Sequence, residues 1–301
     1  MDSRTEKSQV MSGYLFALGS TAIWAGNFAI ARALNQSITP ITLAFLRWTV
    51  AAIAILPFAL KHLIAERALI RRHFPYILIT AILGISLFNT LIYFAGRSTT
   101  SVNMSLISIT FPIFIIILSR IFYGERITFN KVAGIALVIA GVLILITKGR
   151  LSSLLSISFA PGDALMLLAA LTFAVYSLLL RRRPKEMSLW TLQASTFIVG
   201  AILLFPFFLW DRSTAPAVQV NAGLVLAVLY IGILASLTAF VIWNKAIERI
   251  GAAPAAMVYY SMPLISGILA FFVLGERISV IHFYSLLLIV PGILLANWRK
   301  A

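Results

Sequence analysis

The 301-residue chain contains no cysteine, which excludes disulfides, thiolate metal sites and cysteine nucleophiles. Acid is scarce: nine Asp and Glu stand against 24 Lys and Arg, a formal net charge of +15. Histidine occurs only as His62, His73 and His282, each at the edge of an apolar run. An intramembrane serine enzyme needs a base beside its hydroxyl, and none is placed there. An aspartyl enzyme needs two embedded Asp side chains, and no apolar run holds an acid near its middle. Metal centres need clustered His, Cys, Asp or Glu, and the sequence has no such cluster. The chain therefore reads as a non-enzyme without a metal or cofactor.

Apolar sequence fills the space these absences leave. Hydrophobic residues make up 61% of the chain, against about 45–50% in a soluble domain. Mean hydropathy is +1.01. A helix crossing the ~30 Å hydrocarbon core needs about 20 mostly apolar residues. Charges and Pro/Gly clusters divide the chain into ten such spans, at about 12–33, 41–60, 75–95, 100–121, 130–147, 163–181, 190–209, 222–245, 253–272 and 280–298. The polar residues 1–11 are not followed by a short apolar stretch with a small-residue cleavage site, so the first run reads as a retained helix.

The excess of basic residues invites a nucleic-acid reading, and their distribution refuses it. With the N-terminus inside, seventeen of the 24 Lys and Arg fall in cytoplasmic segments, six on the other side, and Arg47 within a span. That bias predicts a multi-pass protein of the inner (plasma) membrane with both termini cytoplasmic. Its partners are then the lipid bilayer and a small molecule.

Pro112 and Pro263 each begin the pattern P-x11-G-E-R-I, ending in Gly124-Glu125-Arg126-Ile127 and Gly275-Glu276-Arg277-Ile278. The offset is 151 residues (263 − 112), half the chain. Such self-similarity settles the architecture before any single motif does. Five spans per half place the second half upside down relative to the first, as in many secondary transporters. The expected fold is an all-α membrane protein of ten helices, arranged as two inverted five-helix repeats, 1–150 and 151–301, around a central cavity. The same offset pairs Tyr93 with Asn244, Thr110 with Ser261 and Gly141 with Gly292.

Each motif has a structural meaning. Gly124 and Gly275 permit tight turns. Glu125 and Glu276 are expected at the start of the next helix, near its unpaired N–H groups. Pro112 and Pro263 fall in mid-span, where proline removes a hydrogen bond and kinks the helix. The kinks are candidate hinges, and the freed carbonyls of Ser108 and Tyr259 are candidate contacts for a substrate ammonium. Arg47 lies roughly 9 Å inside span two at 1.5 Å per residue. Its expected role is to tie helix ends together, with a substrate carboxylate as the alternative partner.

The paired P-x11-G-E-R motif resembles the drug/metabolite transporter superfamily, and more closely its EamA-type ten-span exporters. Trp24-Ala-Gly-Asn27, Phe45-Leu-Arg47 and the Gly134…Gly141 spacing carry the resemblance further, over nearly the whole chain. The resemblance implies a cavity between spans one, three, four, six, eight and nine, with five and ten supporting. It also implies efflux of small metabolites, and the subgroup favoured is the amino-acid exporters, including those for aromatic amino acids. Arg47 has no mate, since the offset places Ile198 opposite it. On those spans the candidate substrate-binding residues are Trp24, Asn27, Asn89, Tyr93, Asn103, Ser108, Tyr176, Thr238, Trp243, Asn244, Tyr259 and Tyr260. Each also has a packing or interface role open to it. A cavity of amides, hydroxyls and rings suits neutral zwitterions with apolar side chains. The absence of a mid-span carboxylate leaves no site for lipophilic cations and no evident proton relay; Asp163, at a span mouth, is the nearest. Efflux of amphiphilic drugs or other metabolites is the alternative.

Overall fold

The computed structural model describes residues 3–34, 37–99, 101–150, 152, 159–215, 218–274 and 280–298, and their regular structure is helical. Span one is Ser3–Leu34 and span two Pro40–Ala65. A short helix, Arg67–Arg72, leads into span three, Phe74–Ser98. Span four comes in two pieces, Ser101–Ser108 and Thr110–Tyr123, and span five is Phe129–Ile146. The second half repeats the order. Span six is Pro161–Leu179, span seven Leu189–Thr214 and span eight Ala222–Ile250. Span nine is again in two pieces, Ala252–Tyr259 and Met262–Leu274, and span ten is Val280–Asn297. Several helices outrun their apolar stretches, as span seven does in reaching Thr214. A helix satisfies its own backbone, so it continues into the interface where charged tips reach water.

Hydroxyl and amide side chains start the helices. Thr39 accepts from Thr42 N–H at 3.2 Å, Thr128 from Lys131 N–H at 3.3 Å, Ser188 from Thr191 N–H at 3.1 Å and Asn221 from Leu224 N–H at 2.8 Å. Each such cap is worth about 1 kcal/mol. Gly124 ends span four with φ 65, a left-handed conformation that favours glycine. Glu125 departs from expectation. Thr128 caps span five, while the Glu125 carboxylate pairs with Arg181 at the end of span six and with Lys131 at 3.8 Å. The five-residue linker 124–128 sets it away from the helix start.

Spans five and ten cross at small residues. A Cβ on Gly134 would lie 2.5 Å from the Gly292 carbonyl, and one on Gly292 2.8 Å from that of Gly134. The 151 offset maps this contact onto Gly141 and Ser285, and a Cβ on Gly141 would lie 3.1 Å from the Ser285 carbonyl. Close backbone approach of this kind drives helix association in lipid. Spans two and seven form a second pair. Asp211 accepts from the hydroxyls of Thr39 and Thr42, the latter at 2.6 Å, while Glu66 accepts from Ser188 N–H at 2.8 Å. Each helix of the pair thus supplies a carboxylate to the start of the other. Between the ends, Phe45 stacks on Phe208 at 4.3 Å and Phe58 on Trp190 at 5.6 Å.

Two kinds of irregularity recur at the offset. Spans four and nine both break one turn before their proline. Ile109 N–H donates to Leu106 O at 3.2 Å, and Tyr260 N–H to Met257 O at 3.3 Å. The hydroxyls of Thr110 and Ser261 donate to Ile107 O and Val258 O at 2.6 and 2.8 Å. These are the same bonds 151 residues apart. Spans three and eight carry π-helical segments, Ile82–Leu87 and Tyr230–Thr238, and the first, shifted by 151, falls inside the second. Such wide turns free carbonyls for other partners and recur at functional sites.

Candidate functional site

The six spans expected around a cavity converge on one aromatic cluster. Trp24 of span one meets Phe173 of span six at 5.5 Å, and Phe240 and Trp243 of span eight at 5.6 and 5.3 Å. Phe88 of span three stacks on Phe173 at 4.2 Å. Phe111 of span four meets Tyr259 of span nine at 4.9 Å. Tyr176 stacks on Phe173 at 5.7 Å. All but Phe88 are buried. Gly84, in the π segment of span three, leaves the space that the Tyr176 ring occupies.

Two polar networks flank these rings. In the first, Arg47 is fully enclosed and donates to Ser236 Oγ at 2.5 Å, Tyr93 Oη at 2.9 Å and Ala235 O at 3.0 Å. Its guanidinium also lies 5.1 Å from the Trp48 ring. Trp24 Nε1 donates to the same Ala235 carbonyl at 2.9 Å. The wide turn of span eight frees that carbonyl, while the hydroxyls of Ser236 and Thr238 bond back to Ile231 O and Ile233 O at 2.9 and 3.1 Å. No carboxylate pairs with Arg47 among the described residues.

In the second network, Tyr176 donates to Asn244 Oδ1 at 3.3 Å, and Asn244 Nδ2 donates to Gln193 Oε1 at 2.5 Å. Trp243 Nε1 donates to Ser177 Oγ at 3.3 Å. Tyr93 and Asn244, mates by the offset, thus each link the core to a flanking helix: Tyr93 to span two through Arg47, Asn244 to span seven through Gln193. Beside Asn244 opens a recess of about 480 Å³, bounded by the ends of spans six and eight and the start of span seven.

The remaining sequence candidates are placed as follows. Asn89 is buried in span three, and its Nδ2 has no acceptor among the described residues. Asn103 donates at 2.8 Å to Asp163, which also accepts from the Thr99 hydroxyl and from Ala160 N–H at 2.8 Å. That cluster ties the start of span six to the junction of spans three and four, away from the rings. Thr238 is spent on its own helix, and Ser108 ends the first piece of span four. Tyr260 donates to Ile109 O at 2.9 Å, so the break in span nine holds the break in span four. Gly275 and Glu276 lie outside the described residues, as does the side chain of Asn27.

Sequence reasoning missed Phe88, Phe111, Phe173, Phe240 and Gln193. Phenylalanine gives no signal in an apolar helix, since it suits lipid and core alike. Gln193 was detectable: an amide in a membrane helix is costly unless paired, but it sits on a span expected to lie outside the cavity.

Comparison with known proteins agrees with this architecture. The EamA-like transporter family matches residues 11–147 and 160–298. An uncharacterized transporter of Archaeoglobus fulgidus is 29% identical, over 92% of this chain and 94% of that protein. An uncharacterized transporter of Bacillus subtilis is 25% identical, over 94% and 93%. A probable terminal-alkyne amino-acid exporter of Streptantibioticus cattleyicolor is 28% identical, over 96% and 95%. A solved crystal structure with 22% sequence identity superposes with a TM-score of 0.76, covering 95% of this chain and 96% of that one, a likeness of fold.

Proposed function

This chain belongs to the EamA-like transporter family, and from that premise we propose that it exports small neutral metabolites, chiefly amino acids including aromatic ones, by alternating access. It is a multi-pass membrane transporter; the substrate class and the route are our reading. The observation that carries the reading is the aromatic cluster of six spans, flanked by amides, hydroxyls and the enclosed Arg47, whose donors are spent on the protein's own oxygens. Ring pairs contribute about 0.5–1.5 kcal/mol beyond the area they bury. Trp24, Trp243 and Tyr259 offer such faces to an apolar side chain, while Tyr176 and Asn244 offer polar groups to a zwitterion. One distant relative named as a probable amino-acid exporter supports the same class.

In this reading both termini are cytoplasmic, so the recess beside Asn244 opens on the side from which an exporter loads. Pro112 and Pro263 are the hinges, because the matched breaks before them provide two bending points related by the repeat. Among the described residues no carboxylate takes part in either polar network beside the rings, and in this reading transport proceeds by facilitation or exchange.

The test is uptake of labelled phenylalanine, tryptophan, threonine and leucine into proteoliposomes, with and without a proton gradient. The expected result is flux of the aromatic substrates without a gradient. Strictly gradient-dependent flux would overturn the facilitative mechanism and direct attention to Asp163. No flux of any amino acid from folded protein would overturn the substrate class, in favour of amphiphilic drugs or other metabolites.

A further inference from the structure

The recess of about 480 Å³ differs in character from the aromatic cluster behind it. Its charged lining consists of Arg181, Arg183, Lys185 and Arg249 against the single carboxylate of Glu248. Two of these cations are already engaged. Arg181 pairs with Glu125, and Arg183 donates to Glu248 at 2.7 Å. Among the described residues Arg249 is held by neutral groups, the Ser12 hydroxyl and the Phe16 ring at 4.7 Å. Lys185 has no carboxylate partner among the described residues. Among the described residues the lining thus holds four cations against one acid of its own.

The wall is firmly built. Tyr123 and Tyr76 donate to the last carbonyls of span six, Leu178 O at 2.8 Å and Leu179 O at 3.0 Å. Asn244 is part of the lining, and Gln193, fully buried, is bonded to it from outside the recess. Gln193 Oε1 accepts from Asn244, while its Nε2 has no acceptor among the described residues. A buried amide donor left without a partner costs on the order of 1–3 kcal/mol, so an oxygen brought to it is favoured. Exposed cations in the lining and a Gln193 N–H donor, one hydrogen bond away from the lining residue Asn244 and without an acceptor among the described residues, suit an anion with oxygen acceptors. Leu192 and Ile247 between them suit its apolar body.

We propose that this recess is a loading site for the carboxylate end of the transported molecule. Lys185 and Arg249 draw the anion in, and the amide pair of Asn244 and Gln193 receives it before its side chain enters the aromatic cluster. The proposal rests on the export reading for the direction of travel and goes beyond it in naming the chemical group recognised and the residues that do so. A rim serving topology alone would need no buried, unpaired amide donor beneath it.

The experiment measures equilibrium binding of four probes to the full-length purified protein: phenylalanine, 3-phenylpropionate, phenylalaninamide and phenethylamine. The two carboxylates are expected to bind at least tenfold tighter than the two probes lacking one, with affinity falling as salt rises because the rim is screened. Gln193→Leu is expected to weaken carboxylate binding about tenfold, the scale of one hydrogen bond to a charged group. It should leave phenylalaninamide unchanged. Lys185→Gln is expected to weaken carboxylates a few-fold and flatten the salt dependence. If Gln193→Leu does not fold, Gln193→Glu keeps the shape and should invert the preference toward phenylalaninamide. Equal binding of phenylalanine and its amide, unmoved by Gln193→Glu, overturns the carboxylate site even if amino-acid flux is found. Carboxylate-selective binding of 3-phenylpropionate without amino-acid flux supports the site and overturns the amino-acid reading instead.

Discussion

The hydroxyl of Tyr260 donates to the carbonyl of Ile109 at 2.9 Å, and the two residues are separated by the same 151 positions that separate Pro112 from Pro263. Each lies in the broken turn that precedes its proline. The bond therefore runs from one break to its own symmetry mate, across the boundary between the repeats. Only one half can make it, because the residue at position 109 is isoleucine. The bond ties one break to the other, and removing it leaves the Ile109 carbonyl without that donor.

Tyr260→Phe is expected to shift the balance between the two accessible faces by roughly fivefold, since a hydrogen bond contributes about 1 kcal/mol. Substrate affinity at saturating access should change little. The absence of native cysteine makes the measurement direct. A single cysteine introduced at Ile247, in the recess, is labelled with a maleimide before and after the change. Unaltered labelling rates would show that the bond does not link the breaks.

Pro112→Ala and Pro263→Ala are expected to slow flux more than they weaken binding, because each restores a hydrogen bond in a turn that bends. Binding and flux should be measured on the same preparation. Equal losses in both, or no loss, would remove the hinge assignment.

Arg47→Lys is expected to be nearly as damaging as Arg47→Met, although it keeps the charge. Arg47 reaches Ser236, Tyr93 and Ala235 at once, a fork that a single ammonium does not reproduce. Either change should lower stability by about 2 kcal/mol or more, since hydrogen bonds to charged groups contribute about 1.5–3 kcal/mol each. Thermal unfolding of the purified protein checks this. A Lys variant as stable as the parent would show that charge alone matters there.

Gly134→Val is expected to destabilise the protein by about 1–3 kcal/mol, the usual cost of overpacking. Its Cβ would meet the Gly292 carbonyl, a backbone atom that no rotamer change can move aside. Because spans five and ten pack mainly on one another, flux per folded molecule should be retained. Loss of flux without loss of stability would assign this pair a moving role.

Much of this architecture is legible in the sequence. Apolar runs of membrane length, the basic bias of alternate connections and the P-x11-G-E-R pair yield ten spans, two inverted halves and the positions of both breaks. These follow from local rules: a lipid solvent demands long helices, and proline cannot continue one. The glycines of spans five and ten belong to the same class, since close approach requires them wherever the helices meet.

Other features depend on partners remote in the chain. Glu125 reads as a helix-capping carboxylate, yet it turns to Arg181, 56 residues away, which the fold brings beside it. Arg47 looks like an isolated charge until span eight presents the Ala235 carbonyl, and nothing in Tyr230–Thr238 advertises a wide turn. Gln193 gains meaning only from Asn244. The sequence by itself determined the membrane class, the helix count, the inversion and the positions of the two mid-span breaks, because hydrophobicity, charge and proline act on the residues that bear them. The tertiary structure alone decided which rings meet, which amide is left unpaired and which break holds the other, because those depend on side-chain directions that converge only once the helices have packed.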